Sequence, residues 1–274
     1  MRPEQRAKRD AFLTRIGSRP PLIMGILNVT PDSFSDGGSF HAVDAALAHA
    51  RQMAAAGADI VDIGAESTRP GAAPVGESEE LARLEPVLTA LAGLDAPLSV
   101  DTSKAMVAAR ALSLGAVMIN DVWGLQSDPA MADTVAEGEA GLVIMHNRPE
   151  KDAGIDIITD IRRRFDRSLA IAARAGIRKE RIVLDIGVGF AKSSRQNRDA
   201  IARLGELKDY GLPIMVGASR KKFLGSLTGD GSEATPAGTL AVGLAAAAAG
   251  AAILRVHDVA AHIAALKVLQ TLRG

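Results

Sequence analysis

The chain alternates short apolar runs with longer stretches in which apolar residues recur every three or four positions. Apolar runs of about four to eight residues between turn residues are typical of buried strands, and the longer period is typical of helices that bury one face. Eight such runs predict eight strands. These span Leu22–Val29, Ile60–Ala65, Leu98–Asp101, Val117–Val122, Leu142–His146, Ile182–Gly187, Ile214–Ala218 and Ala252–His257.

Helical patterns fill the intervals between the predicted strands, most clearly over Val43–Ala56, Glu79–Ala92 and Ile157–Ala175. At five places a glycine stands between a helix and the next strand. Glycine fits the left-handed position that ends many helices, so these residues predict where helices stop. They are Gly57, Gly115, Gly176, Gly211 and Gly250.

Strand–helix units repeated along the whole chain predict an α/β fold. We expect a single closed (β/α)8 TIM barrel with its active site at the C-terminal ends of the strands. A doubly wound open sheet is the alternative, although eight parallel strands favour closure. No linker divides the sequence, so we expect one barrel domain over residues 21–274. Residues 1–20 are predicted to form an N-terminal arm, either exposed or folded as a helix over the bottom of the barrel.

Composition narrows the classes of function. The 274 residues include 32 basic and 32 acidic side chains, so no overall positive field attracts nucleic acid or an anionic membrane. One Trp and one Tyr leave few side chains for stacking on bases. The absence of cysteine excludes disulfides and a thiolate nucleophile. With no stretch resembling a signal peptide or a membrane span, we expect a cytoplasmic protein with neither nucleic-acid nor membrane partners.

The segment GILNVTPDSFSDGG, residues 25–38, is the most informative single stretch. A buried strand leads straight to Asn28, and a long loop of turn residues follows. Long loops without secondary structure are usually functional or disordered. Taken alone, the segment fits a helix cap, a metal-binding loop or a lid over an active site.

Every predicted strand ends in polar residues. In TIM barrels the strand ends and the loops after them form the active site, and helix capping alone does not explain eight such ends. The polar residues are Asn28, Asp62 with Glu66 to Arg69, Asp101 to Lys104, Asn120 with Asp121, His146 to Arg148, Asp185 with Lys192, Ser219 to Lys222, and Arg255 with His257 and Asp258.

One subset of these strand ends is basic. Lys221 follows the seventh strand, and Arg255 and His257 lie two residues apart on the eighth, hence on one face. Phosphate sites recur after strands 7 and 8 of this fold, and Arg69 is a candidate for a further cation. The alternative is a solvated charge cluster at a helix start, with Ser219 as the helix cap.

A second subset accepts hydrogen bonds: Asp101, Asn120 and Asp185. A planar heterocycle with an N–C(NH2)–N edge would pair with one carboxylate through two parallel hydrogen bonds. The alternatives are a divalent-metal site and a general acid–base pair. No HxH or HExxH motif favours zinc, because His146 and His257 lie on different strands. The histidines predicted on helix surfaces are His41, His49 and His262.

Together, these residues resemble those of the dihydropteroate synthases of the folate pathway, over nearly the whole chain from about Pro21 onwards. Six or seven motifs in the family's order are far more specific than a lone glycine motif. The motifs are NVTPDSFSDGG (28–38), GAESTRPGA (64–72), SVDTSK (99–104), INDVWG (119–124), LDIGVGFAK (184–192), GASRKKFLG (217–225) and RVHDV (255–259).

The resemblance implies a transferase that joins p-aminobenzoate to 6-hydroxymethyl-7,8-dihydropterin diphosphate, giving 7,8-dihydropteroate and pyrophosphate. It also implies Mg²⁺, a homodimer and a target for sulfonamides. By position, Asp101, Asn120 and Asp185 would hold the pterin edge, with Lys221 nearby and Arg255 stacked on the ring. A dissociative route is implied, in which pyrophosphate leaves first and the amine attacks the resulting cation.

The other site residues also follow from the resemblance. Asn28, Arg69, Arg255 and His257 would hold the diphosphate, with Mg²⁺ beside Asn28 and with Thr68 also contacting this substrate. Residues 30–38 would fold over the site. The p-aminobenzoate pocket would be lined by Phe34, Thr68, Pro70, Phe190, Ser219 and Lys221. The expected catalytic residues are Asn28, Asp101, Asp185, Lys221, Arg255 and His257.

The chain departs from the family pattern after the sixth strand, at Ile186, Val188 and Ala191. Ala191 stands where glycine is usual, and alanine costs roughly 1 kcal/mol if that position has a positive φ. We therefore expect the loop that carries Phe190 and Lys192 to differ. Two alternative functions stay open: a folate–corrinoid type methyltransferase domain, which needs no diphosphate site, and a catalytically silent pterin-binding or subunit-interaction barrel.

Overall fold

The computed structural model describes residues 1–16, 21–29, 39–67, 73–228 and 235–273. Eight parallel strands form a closed barrel in chain order, and the last strand pairs with the first. The predicted barrel is confirmed, and the open-sheet alternative is wrong. The strands are β1 Leu22–Asn28, β2 Ile60–Gly64, β3 Leu98–Asp101, β4 Met118–Asp121, β5 Gly141–Met145, β6 Ile182–Asp185, β7 Ile214–Val216 and β8 Ile253–Val256.

Helices connect successive strands on the outside of the barrel. The five glycines predicted to end helices all have positive φ angles, between 63° and 125°. None of the helices within the described ranges combines the length and the apolar character that a membrane crossing requires. The helices are α1 Pro3–Arg15, α2 Ser39–Ala55, α3 Glu77–Ala90, α4 Ala105–Leu114, α5 Met131–Glu137, α6 Ile157–Arg174, α7 Ser194–Ala202, α8 Phe223–Thr228, α9 Pro236–Ala249 and α10 Val259–Arg273.

The inside of the barrel is apolar at the bottom and polar at the top. Side chains alternate along a strand, so residues two apart share the inward face. The inward residues of the lower layer form one buried cluster: Leu22, Met24, Ile60, Met118, Val143, Val183, Met215 and Ile253. Two positions further along four of these strands stand polar side chains: Asp62, Asn120, Asp185 and Arg255.

Helix α1 closes the bottom of the barrel. Phe12 is only 1% exposed and belongs to the interior cluster. The helix is also tied to backbone carbonyls at or just beyond the C-terminal ends of α3 and α4. Lys8 Nζ donates to the Leu94 carbonyl at 3.0 Å, and Gln5 Nε2 donates to the Leu112 carbonyl at 3.4 Å. The helical alternative for the N-terminal arm is therefore correct over the described residues.

We predict that Phe12→Ala lowers the free energy of unfolding by about 3–5 kcal/mol, because it leaves a cavity in the interior cluster. Urea denaturation monitored by circular dichroism measures the change. Thr14→Ala, on the exposed face of the same helix, is the matched control and should change stability by less than about 0.5 kcal/mol. Equal effects of the two substitutions would contradict the role of α1 as a plug.

Candidate functional site

The strand ends of the first half of the barrel are joined through the register of the sheet. Asn28, Gly64, Asp101 and Asn120 are successive register partners across β1 to β4. Asn28 is exposed, whereas Asp101 and Asn120 are 9% and 2% exposed. The barrel thus brings polar residues that are far apart in the chain to one rim.

Arg255 reaches across the barrel from β8 and joins this rim. Its Nε donates to Asp62 Oδ2 at 2.7 Å, and its Nη2 donates to Asp101 Oδ2 at 2.8 Å. Asn120 Nδ2 donates to the same Asp62 oxygen at 3.0 Å. Burial raises the pKa of Asp101, and the charge of Arg255 only partly opposes this. The predicted acceptor subset and the predicted basic subset therefore meet in one cluster around Arg255.

Three acceptor oxygens of this cluster are buried and have no hydrogen-bond partner among the residues that the structure describes: Asp62 Oδ1, Asp101 Oδ1 and Asn120 Oδ1. An unsatisfied buried acceptor costs roughly 1–3 kcal/mol. The cluster is therefore suited to a ligand that donates several hydrogen bonds. Asp62 belonged to neither predicted subset, although a lone carboxylate at an inward position of the apolar strand IVDIG was the available signal.

Asp185 lies at the end of β6, on the other side of Arg255. Its Oδ1 accepts a hydrogen bond from the Gly187 backbone at 2.8 Å, and burial raises its pKa. Gly217 lies between these two residues. A Cβ atom there would lie 3.6 Å from Arg255 Cβ and 3.9 Å from Asp185 Oδ2, so glycine leaves this part of the barrel mouth open.

Lys221 lies against the loop that follows β6. Its Nζ donates to the Val188 carbonyl and lies 4.6 Å from the centroid of the Phe190 ring, within cation–π range. Burial lowers the pKa of Lys221 to about 8, although the charge of Asp185 acts in the opposite direction. This places the Lys221 ammonium beside an aromatic ring at the mouth of the barrel.

Ser219 and His257 form a pair at the ends of β7 and β8. His257 Nδ1 lies 2.9 Å from Ser219 Oγ, and the His257 backbone also donates to this oxygen at 3.2 Å. Helix α8 begins only at Phe223, so the alternative in which Ser219 caps a helix is wrong.

Not all of the predicted site residues fall within the described ranges. Phe34, Thr68, Arg69 and Pro70 lie outside the described residues, as does the predicted lid over residues 30–38.

His262 is 2% exposed, so its predicted position on a helix surface is wrong. The reason is that α9 covers this face of α10: a Cβ atom on Gly243 would lie 3.0 Å from the His262 ring.

We call residues Gly187–Lys192 loop 6. Lys192 folds back under it: the Lys192 ammonium donates to the carbonyls of Gly187 at 2.7 Å and Phe190 at 3.2 Å. It also lies 2.7 Å from Nδ1 of His146, the residue after β5. Both side chains are buried, at 6% and 0% exposure. Lys192 and His146 were both predicted near strand ends, but neither was assigned a role in the site.

His146 links Lys192 to helix α6. Burial lowers the pKa of His146 to about 4, so the ring is neutral at pH 7. Nδ1 can then accept from Lys192 while Nε2 donates to Asp160 Oδ2 at 3.0 Å. Arg148 Nη1 donates to the same oxygen at 3.1 Å. The hydrogen bond from His146 contributes most to lowering the pKa of Asp160.

Ala191 has a φ of 42°, as expected if it replaces a glycine with positive φ. We predict that Ala191→Gly raises the free energy of unfolding by about 1 kcal/mol, because it relieves this left-handed backbone. Ala173→Gly, at an exposed position inside α6, should lower it by about 1 kcal/mol. Denaturant titration measures both, and two changes of the same sign would contradict the strain at Ala191.

A second prediction concerns pH. The unfolded chain protonates His146 near pH 6.5 and the folded chain near pH 4, so acidification through this window favours unfolding. At about 1.4 kcal/mol per pKa unit, His146 should account for a loss of about 3 kcal/mol. His146→Gln should remove that part of the pH dependence. Denaturant titrations between pH 4 and 7 check this, and identical slopes for both proteins would contradict a buried neutral imidazole.

The sequence and the fold have counterparts among known proteins. A family model described as pterin binding enzyme matches residues 24–257. A dihydropteroate synthase from Bacillus subtilis is 45% identical over 239 residues, which cover 87% of this chain and 84% of that protein.

Solved structures agree. The dihydropteroate synthase of Clostridium difficile, solved in the presence of pteroic acid, is 46% identical, with a TM-score of 0.88. The match covers 93% of this chain and 97% of the Clostridium difficile chain. The Xanthomonas albilineans dihydropteroate synthase with 4-aminobenzoic acid is 44% identical with a TM-score of 0.88, covering 93% of both chains. The chain therefore belongs to the pterin-binding enzymes and, within them, to the dihydropteroate synthase family.

Proposed function

We propose that this protein condenses p-aminobenzoate with 6-hydroxymethyl-7,8-dihydropterin diphosphate, giving 7,8-dihydropteroate and pyrophosphate. The observation that carries the proposal is the set of buried acceptors beside Arg255, at the C-terminal rim of the barrel, that have no partner within the described ranges. This is the part of the fold in which TIM-barrel enzymes hold their substrates. The family of the chain supports the same reaction.

The acceptor cluster suits the pterin. The ring edge carries ring N–H and amino donors, and Asp101 Oδ1, Asn120 Oδ1 and Asp185 would accept from them. Arg255 is already held by Asp62 and Asp101, so its guanidinium is fixed in place before the substrate arrives. A planar, weakly hydrated guanidinium stacks well on a flat heterocycle, and this is the role we assign to Arg255.

The diphosphate would lie above the pterin, near Asn28, Arg255 and His257. Mg²⁺ is commonly held by one or two protein oxygens, substrate phosphates and water. Asn28 is exposed, and its side-chain carbonyl oxygen would fit that role. The described part of the chain contains no cluster of three or more His, Asp or Glu residues that would hold a metal by itself. When bound, the ion would neutralise charge on the leaving diphosphate. Arg69 and Thr68 are proposed to contribute from outside the described residues.

The second substrate would bind on the side of Lys221. Phe190 offers an apolar wall, and Lys221 and Ser219 offer donors to a carboxylate. Phe34, Thr68 and Pro70 are proposed to complete the pocket.

The chemistry needs positioning more than a nucleophile. The bond between the pterin methylene carbon and the diphosphate oxygen breaks, and that oxygen keeps the electron pair. The amine nitrogen of p-aminobenzoate then attacks the methylene cation and releases one proton. Arg255 and His257 would stabilise the charge that develops on the leaving group, while Lys221 and the acceptor cluster hold the two substrates in line.

Three further features of the family stay predictions for this chain. These are the homodimer, which size-exclusion chromatography with light scattering would detect, the cytoplasmic location and the binding of sulfonamides at the p-aminobenzoate site.

The direct test is a pyrophosphate-release assay with both substrates. We expect release that requires both of them and yields 7,8-dihydropteroate, identified by mass spectrometry. Binding of the pterin diphosphate without any release at saturating p-aminobenzoate would instead favour a catalytically silent barrel. Methyl transfer from methyltetrahydrofolate would favour the methyltransferase alternative.

We predict that Asp185→Asn weakens pterin diphosphate binding about 10- to 100-fold, because one charge-assisted acceptor is lost. The amide oxygen of the variant can still accept from Gly187, so the fold should be retained. Isothermal titration calorimetry measures the affinity. Asp133→Asn, on the exposed surface of α5, is the control. Equal affinities of the two variants would refute the role of Asp185.

A further inference from the structure

Side chains donate hydrogen bonds to most of the backbone carbonyl groups of loop 6. Lys192 binds the carbonyls of Gly187 and Phe190, and Lys221 binds that of Val188. Arg148 Nε donates to the carbonyl of Ala191 at 2.9 Å. Such a dense set of side-chain contacts leaves loop 6 little freedom to change its conformation.

Two of these cations lie in the interior. Lys192 and Arg148 are 6% and 7% exposed, and burial lowers the pKa of Lys192. Burying cations costs several kcal/mol unless partners compensate. Asp160 compensates Arg148 directly, and neutral His146 stands between Asp160 and Lys192. Apolar side chains would stabilise a loop without this desolvation cost. The buried cations therefore indicate that loop 6 has to keep one particular conformation.

The geometry that it fixes is that of Phe190 and Lys221. Gly187, with a φ of 63°, packs so closely on the strand end of β5 that a Cβ atom would lie 1.9 Å from the His146 carbonyl oxygen. Moving His146 or Lys192 would therefore shift the start of loop 6. Such a shift would carry with it the Phe190 ring and the Val188 carbonyl, which together hold the Lys221 ammonium.

We propose that Lys192, His146 and Arg148 are positioning residues for p-aminobenzoate: they hold loop 6 in the conformation that presents Phe190 and Lys221 to this substrate. The proposal rests on the proposed function, because it assigns p-aminobenzoate to the Lys221 side of the barrel mouth. The pterin acceptors Asp101, Asn120 and Asp185 lie on strands, and only Asp185 also contacts loop 6, through Gly187, so the effect should be much larger for the second substrate than for the pterin.

Lys192→Met tests the proposal, because it keeps the length of the side chain and removes its donors. With pterin diphosphate saturating, we expect KM for p-aminobenzoate to rise about tenfold or more and kcat to change less than about threefold. The Kd of pterin diphosphate, from calorimetry, should stay within about twofold of that of the original protein. Lys179→Met, on the exposed surface at the bottom of the barrel, is the matched control.

A second pair of variants separates positioning from stability. His146→Gln keeps an acceptor for Lys192 and a donor for Asp160, whereas His146→Leu keeps neither. All assays are run at a temperature at which circular dichroism shows each variant folded. We expect KM for p-aminobenzoate to rise in the leucine variant and to return towards its original value in the glutamine variant. Equal KM values for both, or equal losses of pterin and p-aminobenzoate affinity, would overturn the proposal.

Pyrophosphate release by the unsubstituted protein tests the proposed function independently of the positioning role. Absence of pyrophosphate release by the unsubstituted protein contradicts the proposed reaction, whatever the variants do. Calorimetric titration of p-aminobenzoate with pyrophosphate and a pterin present then compares Lys192→Met with the unsubstituted protein without turnover. A weaker Kd in the variant supports the positioning role, and an unchanged Kd overturns it.

Discussion

The site depends on one buried arrangement of charge, in which Arg255 pairs with both Asp62 and Asp101. Two carboxylates that share the interior of a barrel repel each other, and burial already raises the pKa of Asp101. A guanidinium between them offsets this repulsion. Arg255 lies on the last strand and its partners lie on the second and third, so the pairing exists only once the barrel is closed. The site is therefore complete only in the closed barrel.

The site is built at two levels of rigidity. The pterin acceptors are on strands, and their positions follow from the register of the barrel. The surface proposed for p-aminobenzoate lies on loop 6, which has no register to hold it. Buried cations bound to the loop backbone supply that order instead. This division explains how a loop with a left-handed alanine at position 191 can still present Phe190 and Lys221 in a defined way.

The sequence predicted the barrel well because its signals are local. Each strand is an apolar run, and five of the helix-to-strand turns carry a glycine, so all eight strands were found to within about two residues at either end. The contacts that define the site are not local. The run IVDIG itself gives no sign that the Asp62 side chain pairs with Arg255, which lies 193 positions further along the chain. Likewise, the pattern around Lys192 does not show that its side chain turns inward to His146, and His262 is buried only because α9 packs on α10.

The most direct test of this account is a crystal structure of the protein with a bound pterin. We expect the ring to lie in the barrel mouth, with its N–C(NH2)–N edge and neighbouring donors within hydrogen-bond distance of Asp185, Asn120 and Asp101. The Arg255 guanidinium should lie against one face of the ring while it keeps its contacts with Asp62 and Asp101. A pterin bound elsewhere, or a ring in the mouth that leaves the oxygens of Asp101 and Asn120 unpaired, would contradict it.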